Sequence, residues 1–142
     1  MKALVRTVAL VAVLMVTAAA GKAAPLPLSA DPASGPVGST IEISGDGFSP
    51  EWQGRYVVRA AYPAGNQNFT HIAWHTGLVS DGAGGLKPDG TLDVDEYGHL
   101  TFDWIAGDYW GLDGTWSITV WDQSGRKPKL VSSRLDVVVT AP

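Results

Sequence analysis

The sequence predicts an all-β protein. From Pro25 onward, short runs rich in β-branched and aromatic residues alternate with clusters of Gly, Pro, Asn and Asp. No stretch of a dozen residues in this part keeps the apolar period of about 3.6 residues that an amphipathic helix requires. Without a helical crossover segment, a parallel α/β sheet cannot form. We therefore expect seven to eight antiparallel strands in an immunoglobulin-like β-sandwich.

The first residues have the layout of a secretory signal peptide. Lys2 and Arg6 supply positive charge, and an almost wholly apolar run of small residues follows. Cleavage after Ala20 or after Ala23 satisfies the preference for small residues before the cut. The apolar run is shorter than the roughly 20 residues that a membrane span needs. We expect residues 1–23 to be removed, with no membrane span in the rest, and the protein to be extracellular or periplasmic.

Composition excludes several classes of protein. The chain has 142 residues, no cysteine, and 14 acidic against 10 basic residues. Disulfides, thiolate zinc sites, a catalytic cysteine and a lipoprotein anchor are thereby excluded. The negative charge argues against nucleic-acid binding, which relies on Lys and Arg to neutralise phosphates. Residues 24–142 are expected to form one domain.

The strands are predicted from alternation. In residues 40–44, Ile41 and Ile43 share one face, and the polar residues share the other. In residues 55–62, Arg55 and Arg59 mark the solvent side. The other predicted strands are residues 69–74, a short run at 92–94, 99–105, 115–121, and 130–140, where Leu135, Val137 and Val139 share a face.

Residues 32–48 carry a family resemblance. The Ser34-Gly35-Pro36 turn leads through Gly38 into the strand with Ile41 and Ile43, and Gly45-Asp46-Gly47 then precedes Phe48, which is expected to plug the core. This run resembles the opening of an IPT/TIG-type immunoglobulin-like domain of secreted or cell-surface proteins. Residues 113–120 resemble a late hairpin strand of such domains, with Trp116 where the family usually has Tyr.

The resemblance implies a binding, adhesive or spacer module that is not an enzyme and carries no cofactor. Its partner would be an extracellular protein or a glycan. The middle of the chain, residues 50–97, matches the family weakly, so we expect individual features of function there.

Two groups of polar residues resemble metal sites in part. His71 and His75 have the spacing of a metalloprotease helix, but Ile72 stands where the general-base Glu is needed, and the flanks read as strand. We interpret them as rim histidines; a metal would require His99 or an aspartate to approach. The acidic residues Asp89, Asp93, Asp95 and Glu96 lack the spacing of a calcium loop and are interpreted as a solvated turn, with calcium as the alternative.

Six tryptophans are the most distinctive chemistry of the sequence. Trp104 and Trp116 share strand parity with apolar neighbours and are predicted to lie in the core. The candidate ligand-binding residues are Trp52, Tyr109 and Trp110, which lie in predicted loops, and Trp121, which has the opposite parity to Trp116. No catalytic or metal-binding residue is assigned.

These observations favour a secreted, non-catalytic immunoglobulin-like module with a binding or cell-surface structural role. Two alternatives remain open. One is a carbohydrate-binding module that uses the loop aromatics. The other is a surface or fibre subunit that assembles through exposed sheet edges.

Overall fold

The computed structural model describes residues 24–65 and 68–142, and it confirms an all-β chain with antiparallel sheets. Within these residues there is one 3₁₀ turn, Asp108–Trp110, and no α-helix. No helix in the same ranges is long and apolar enough to cross a membrane. The predicted signal peptide, residues 1–23, lies outside the described residues.

Twelve short strands are present in the described residues, where seven to eight were predicted. They are β1 (Ser29–Asp31), β2 (Ser34–Pro36), β3 (Thr40–Gly45), β4 (Tyr56–Tyr62), β5 (His71–His75), β6 (Leu78–Ser80), β7 (Leu86–Pro88), β8 (Leu92–Val94), β9 (Leu100–Ile105), β10 (Gly114–Asp122), β11 (Lys129–Leu130) and β12 (Leu135–Thr140).

The strands form two main sheets and a hairpin. A four-stranded antiparallel sheet has the order β1-β3-β9-β8, and β6 pairs with β7 alone. A six-stranded sheet has the order β2-β12-β10-β4-β5, with β11 also paired to β10. One pair departs from the predicted antiparallel pattern, because β2 runs parallel to β12 with Ser34 opposite Val138.

The predicted strand at residues 130–140 is divided into β11 and β12. Between them, the hydroxyl oxygen of Ser132 accepts a hydrogen bond of 2.8 Å from the backbone N–H of Val120. The side chain thereby competes with the carbonyl groups that would continue a regular ladder. Ser132 is buried, so this bond satisfies a group that water does not reach.

A single hydrophobic core draws on both main sheets. Ile41 and Ile43 of β3 are fully buried, as the alternation predicts, and so are Val137 and Val139 of β12. Trp104 and Trp116 are also buried, which confirms their predicted place in the core, and their ring centroids lie 5.5 Å apart. Edge-on contact of this kind adds to the stabilisation from burial.

Trp52 corrects a sequence prediction. It was expected to be exposed on a loop, but its side chain is only 5% exposed and belongs to the core. A tight turn, with the N–H of Arg55 bonded 2.7 Å from the carbonyl of Trp52, folds the loop back. The loop is further fixed because Ser49 N–H donates to the hydroxyl of Tyr56 at 2.8 Å. Phe48 is buried edge-on against Tyr56, as the predicted core plug should be.

Candidate ligand-binding surfaces

The 3₁₀ turn Asp108–Trp110 presents two aromatic side chains to solvent. Gly107 and Gly111 flank it in the left-handed region, and Asp108 itself has φ 53°, the one positive value at a non-glycine residue of the described ranges. An aspartate tolerates this conformation when its side chain bonds nearby backbone, and here Oδ1 accepts from the N–H of Tyr109 at 3.0 Å. Tyr109 is 77% exposed and Trp110 is 43% exposed, as predicted for loop aromatics.

The carboxylate of Asp108 fixes the turn to both sheets. Its side chain is 2% exposed, and Oδ2 accepts hydrogen bonds of 2.8 Å from Nε2 of His75 and from Nε1 of Trp104. Burial raises the pKa of Asp108, but the hydrogen bonds from His75 and Trp104 outweigh it and hold the pKa below its ordinary value. Asp108 is therefore charged at neutral pH and joins β5, β9 and the turn.

His75 lies between two aromatic rings. Its centroid is 5.2 Å from that of Phe102 and 5.6 Å from that of Tyr109, on which it stacks at 30°. Nε2 of His75 is bonded to Asp108, whereas Nδ1 has no hydrogen-bond partner among the described residues. Because Nδ1 is not one of their buried unpaired atoms, it is accessible to solvent. His75, which is held by its hydrogen bond to Asp108, therefore fixes the orientation of the Tyr109 ring.

A cleft of about 320 Å³ lies beside this stack, and we call it the Tyr109 cleft. Its volume is at the small end of ligand sites. Asp89 supplies a carboxylate, and the hydroxyl of Thr91 donates to it at 2.6 Å. Asp103 also lines the cleft, but it alternates with the buried Phe102 and Trp104, so its side chain points to the other face of β9. The lining residues are His75, Asp89, Thr91, Phe102, Asp103, Trp104, Ile105, Asp108 and Tyr109.

The His75–Asp108 pair resembles the orientation of a general base by a carboxylate. The described residues that line the Tyr109 cleft include no serine or cysteine, and the Thr91 hydroxyl is bonded to Asp89.

Trp110 packs over the rim of the core. Its ring lies 4.8 Å from His71 and stacks 6.4 Å from Trp116, measured between centroids. Part of the indole is therefore occupied by internal contacts. Of the two aromatics on the turn, Tyr109 has the more accessible ring.

A second aromatic group lies on the outer surface of β4, β5 and β10, and we call it the Arg59 face. The guanidinium carbon of Arg59 is 5.0 Å from the ring centroid of Trp121, 5.2 Å from that of Phe69 and 5.7 Å from that of Trp74. Trp121 points away from the core, as its parity predicts, and its Nε1 donates to the Thr119 hydroxyl at 2.9 Å.

The four aromatic residues predicted to bind ligand do not converge. Trp52 is in the core, Tyr109 and Trp110 share the turn, and Trp121 lies on the Arg59 face. Sequence reasoning missed His75 and Asp108 as a pair, because 33 positions separate them. Sequence reasoning also missed the contact between Arg59 and the ring of Trp74.

The described ranges contain no group of three or more His, Cys, Asp or Glu side chains that could hold a metal ion. His75 approaches an aspartate, Asp108, but no third ligand joins them there. In the acidic segment, Oδ1 of Asp95 accepts from the N–H groups of Tyr97 and His99 at 2.9 and 3.0 Å, which closes a turn between β8 and β9.

The structure defines an all-β chain with two candidate surfaces made of aromatic and charged side chains. No family model matches the chain, and no curated protein is significantly similar to it. The functional proposal therefore rests on the geometry of these surfaces.

Proposed function

We propose that this chain is a secreted, non-catalytic immunoglobulin-like module that binds a carbohydrate at the Tyr109 cleft. The observation that carries the proposal is the ring of Tyr109, 77% exposed at the mouth of the cleft and held on a turn anchored by buried Asp108. An aromatic ring ordered before binding loses little entropy when a ligand stacks on it.

The polar groups of the Tyr109 cleft suit a sugar. Hydroxyl groups donate well to carboxylates, and Asp89 supplies one in the lining of the cleft that contains Tyr109. A pyranose presents an apolar C–H face to Tyr109 and its hydroxyl edge to Asp89. The volume of about 320 Å³ fits one or two sugar rings better than a large partner protein.

The arrangement of the chain supports an IPT/TIG-type sandwich. Residues 32–48, which carry the resemblance, form β2, a tight turn and β3, with Phe48 buried beyond them. The two main sheets also contribute to one core, as the layers of a β-sandwich do. Export is supported by the apolar run in residues 1–23.

The proposal is tested by titrating the protein with a panel of neutral oligosaccharides and following heat or amide NMR shifts. Tyr109→Ala should weaken binding about tenfold, equal to about 1.4 kcal/mol, because the stacking surface is lost. The matched control is Tyr97→Ala, since Tyr97 is 85% exposed on another turn. Its affinity should equal that of the wild type.

Two results would contradict the proposal. Absence of binding to every glycan of the panel would remove carbohydrate recognition, and equal loss in the two tyrosine variants would remove the Tyr109 cleft. The proposed lack of catalytic activity is tested separately. Chromatography after long incubation should recover the oligosaccharide intact, whereas cleavage abolished by His75→Gln would identify an enzyme.

A further inference from the structure

Two buried side-chain polar atoms of the described residues have no hydrogen-bond partner, Nε of Arg59 and Oγ of Ser117. Ser117 stands opposite Ala61, and Arg59 stands opposite Thr119, so Arg59 and Ser117 are diagonal neighbours on one surface of the sheet. Native proteins leave few buried polar atoms unpaired. Ser117 is fully buried, so of these two residues only Arg59, which is partly exposed, is open to a ligand.

Arg59 differs from its nearest counterparts in having no acceptor. Arg55 pairs with Asp122 at 3.1 Å, and Arg134 pairs with Asp136 at 3.1 Å. Arg59 makes no ion pair or hydrogen bond to any described residue. Arg126 also has no partner among the described residues, but it is exposed to water, whereas Nε of Arg59 is buried.

The three rings around Arg59 do not supply a hydrogen-bond acceptor. The guanidinium carbon lies over the rings of Phe69, Trp74 and Trp121, whose π-systems attract its positive charge. They offer no lone pair to its in-plane N–H groups. The terminal amino groups are not among the buried unpaired atoms, so they are accessible to a ligand. Burial also lowers the pKa of Arg59, as expected for a charge without a counter-ion.

The surroundings of Arg59 suit an anion attached to a ring. Trp74 is 47% exposed next to the guanidinium, so its indole can stack on a flat or apolar surface. A carboxylate offers two oxygens in the plane that the guanidinium requires. A uronic acid carries both parts, a pyranose ring and a carboxylate, in one residue.

A depression of about 150 Å³ is lined by residues of both surfaces, with Trp74 from the Arg59 face and His75, Asp89 and Tyr109 from the Tyr109 cleft. The two surfaces therefore meet at the edge formed by β5. One extended glycan chain is able to contact both.

We propose that the Arg59 face binds the carboxylate of a uronic-acid residue in an acidic glycan, with Arg59 pairing the carboxylate and Trp74 stacking on the sugar ring. This deepens the proposed function and rests on it, since it names the class of glycan. The Tyr109 cleft would then hold a neighbouring neutral sugar of the same chain, because Asp89 and Asp108 in its lining would repel a second carboxylate.

The test compares an oligosaccharide that carries one glucuronic acid among neutral sugars with its methyl ester, which keeps the rings and removes the charge. Wild-type protein should bind the free acid about tenfold more tightly in low salt, and sodium chloride should reduce the difference. Arg59→Gln should bind both forms alike. The matched control is Arg55→Gln. Arg55 is already paired with Asp122, so its replacement should leave the preference for the free acid unchanged.

The remaining variant separates binding from folding. If Arg59→Gln fails to fold, Trp74→Ala, which alters a half-exposed residue, should weaken binding of both probes while near-UV circular dichroism stays close to that of the wild type. Equal affinity of wild-type protein for acid and ester would overturn this inference and leave the proposed function standing. Absence of binding to these probes and to the neutral panel would overturn both.

Discussion

The Tyr109 cleft and the Arg59 face each assemble aromatic rings around one charged side chain, but the two charges are satisfied differently. Asp108 receives hydrogen bonds from His75 and Trp104, whereas Arg59 receives only the faces of three rings. A buried charge with full hydrogen bonding holds neighbouring elements together, while a charge without a partner destabilises the fold. The first charge is therefore an anchor for the turn, and the second is available to a ligand.

The largest effect is expected from removal of the anchor. Asp108→Ala leaves the N–H groups of His75 and Trp104 without an acceptor inside the protein, so the free energy of unfolding should fall by about 3 kcal/mol. Urea denaturation measures the change. Asp46→Ala is the control, because Asp46 pairs with His99 on the surface, where solvent screens the pair, so the free energy of unfolding should fall much less. Equal losses would show that Asp108 is not an anchor.

The pH dependence of stability sharpens the same contrast. Because the folded-state pKa of Asp108 is lowered, its contribution is complete above the ordinary aspartate pKa of about 3.9 and is lost as pH falls through the lower folded value. Between about pH 6 and about pH 3, the free energy of unfolding of the wild type should therefore fall more than that of Asp108→Asn. Urea titrations across this range measure both, and parallel curves would contradict the assignment.

The smallest effect is expected at the Arg59 face. Arg59→Met removes the cation–π contacts but also removes an uncompensated charge, so the free energy of unfolding should change by less than about 1 kcal/mol. The same urea measurements decide the outcome. A loss as large as that of Asp108→Ala would mean that Arg59 supports the fold and is not held for a ligand.

The core was predictable from sequence because strand alternation is local. Ile41, Ile43, Val137 and Val139 are buried as their spacing predicts, since successive side chains of a strand point to opposite faces. The same alternation along the strand predicted that Trp116 lies in the core, where the structure places it. These predictions need only the two-residue period and no knowledge of what lies across the sheet.

The sites depend on contacts that no local pattern records. Asp108 meets His75 across 33 positions, and the carboxylate reaches it only because the turn adopts a left-handed conformation. Arg59 was interpreted as marking a solvent face, yet rings of β5 and β10 and Phe69 cover its guanidinium. Trp52 was placed on a loop, and the turn that buries it is visible only in three dimensions.

The parallel pairing of β2 with β12 bears on how the chain is made. Because Ser34 lies opposite Val138, and β12 lies between β2 and β10, the six-stranded sheet lacks an inner strand until Leu135–Thr140 has emerged from the ribosome or an export channel. Pairing across so long a stretch of chain slows folding. During that interval the apolar face of β10 is incompletely covered, which is the condition in which nascent chains aggregate.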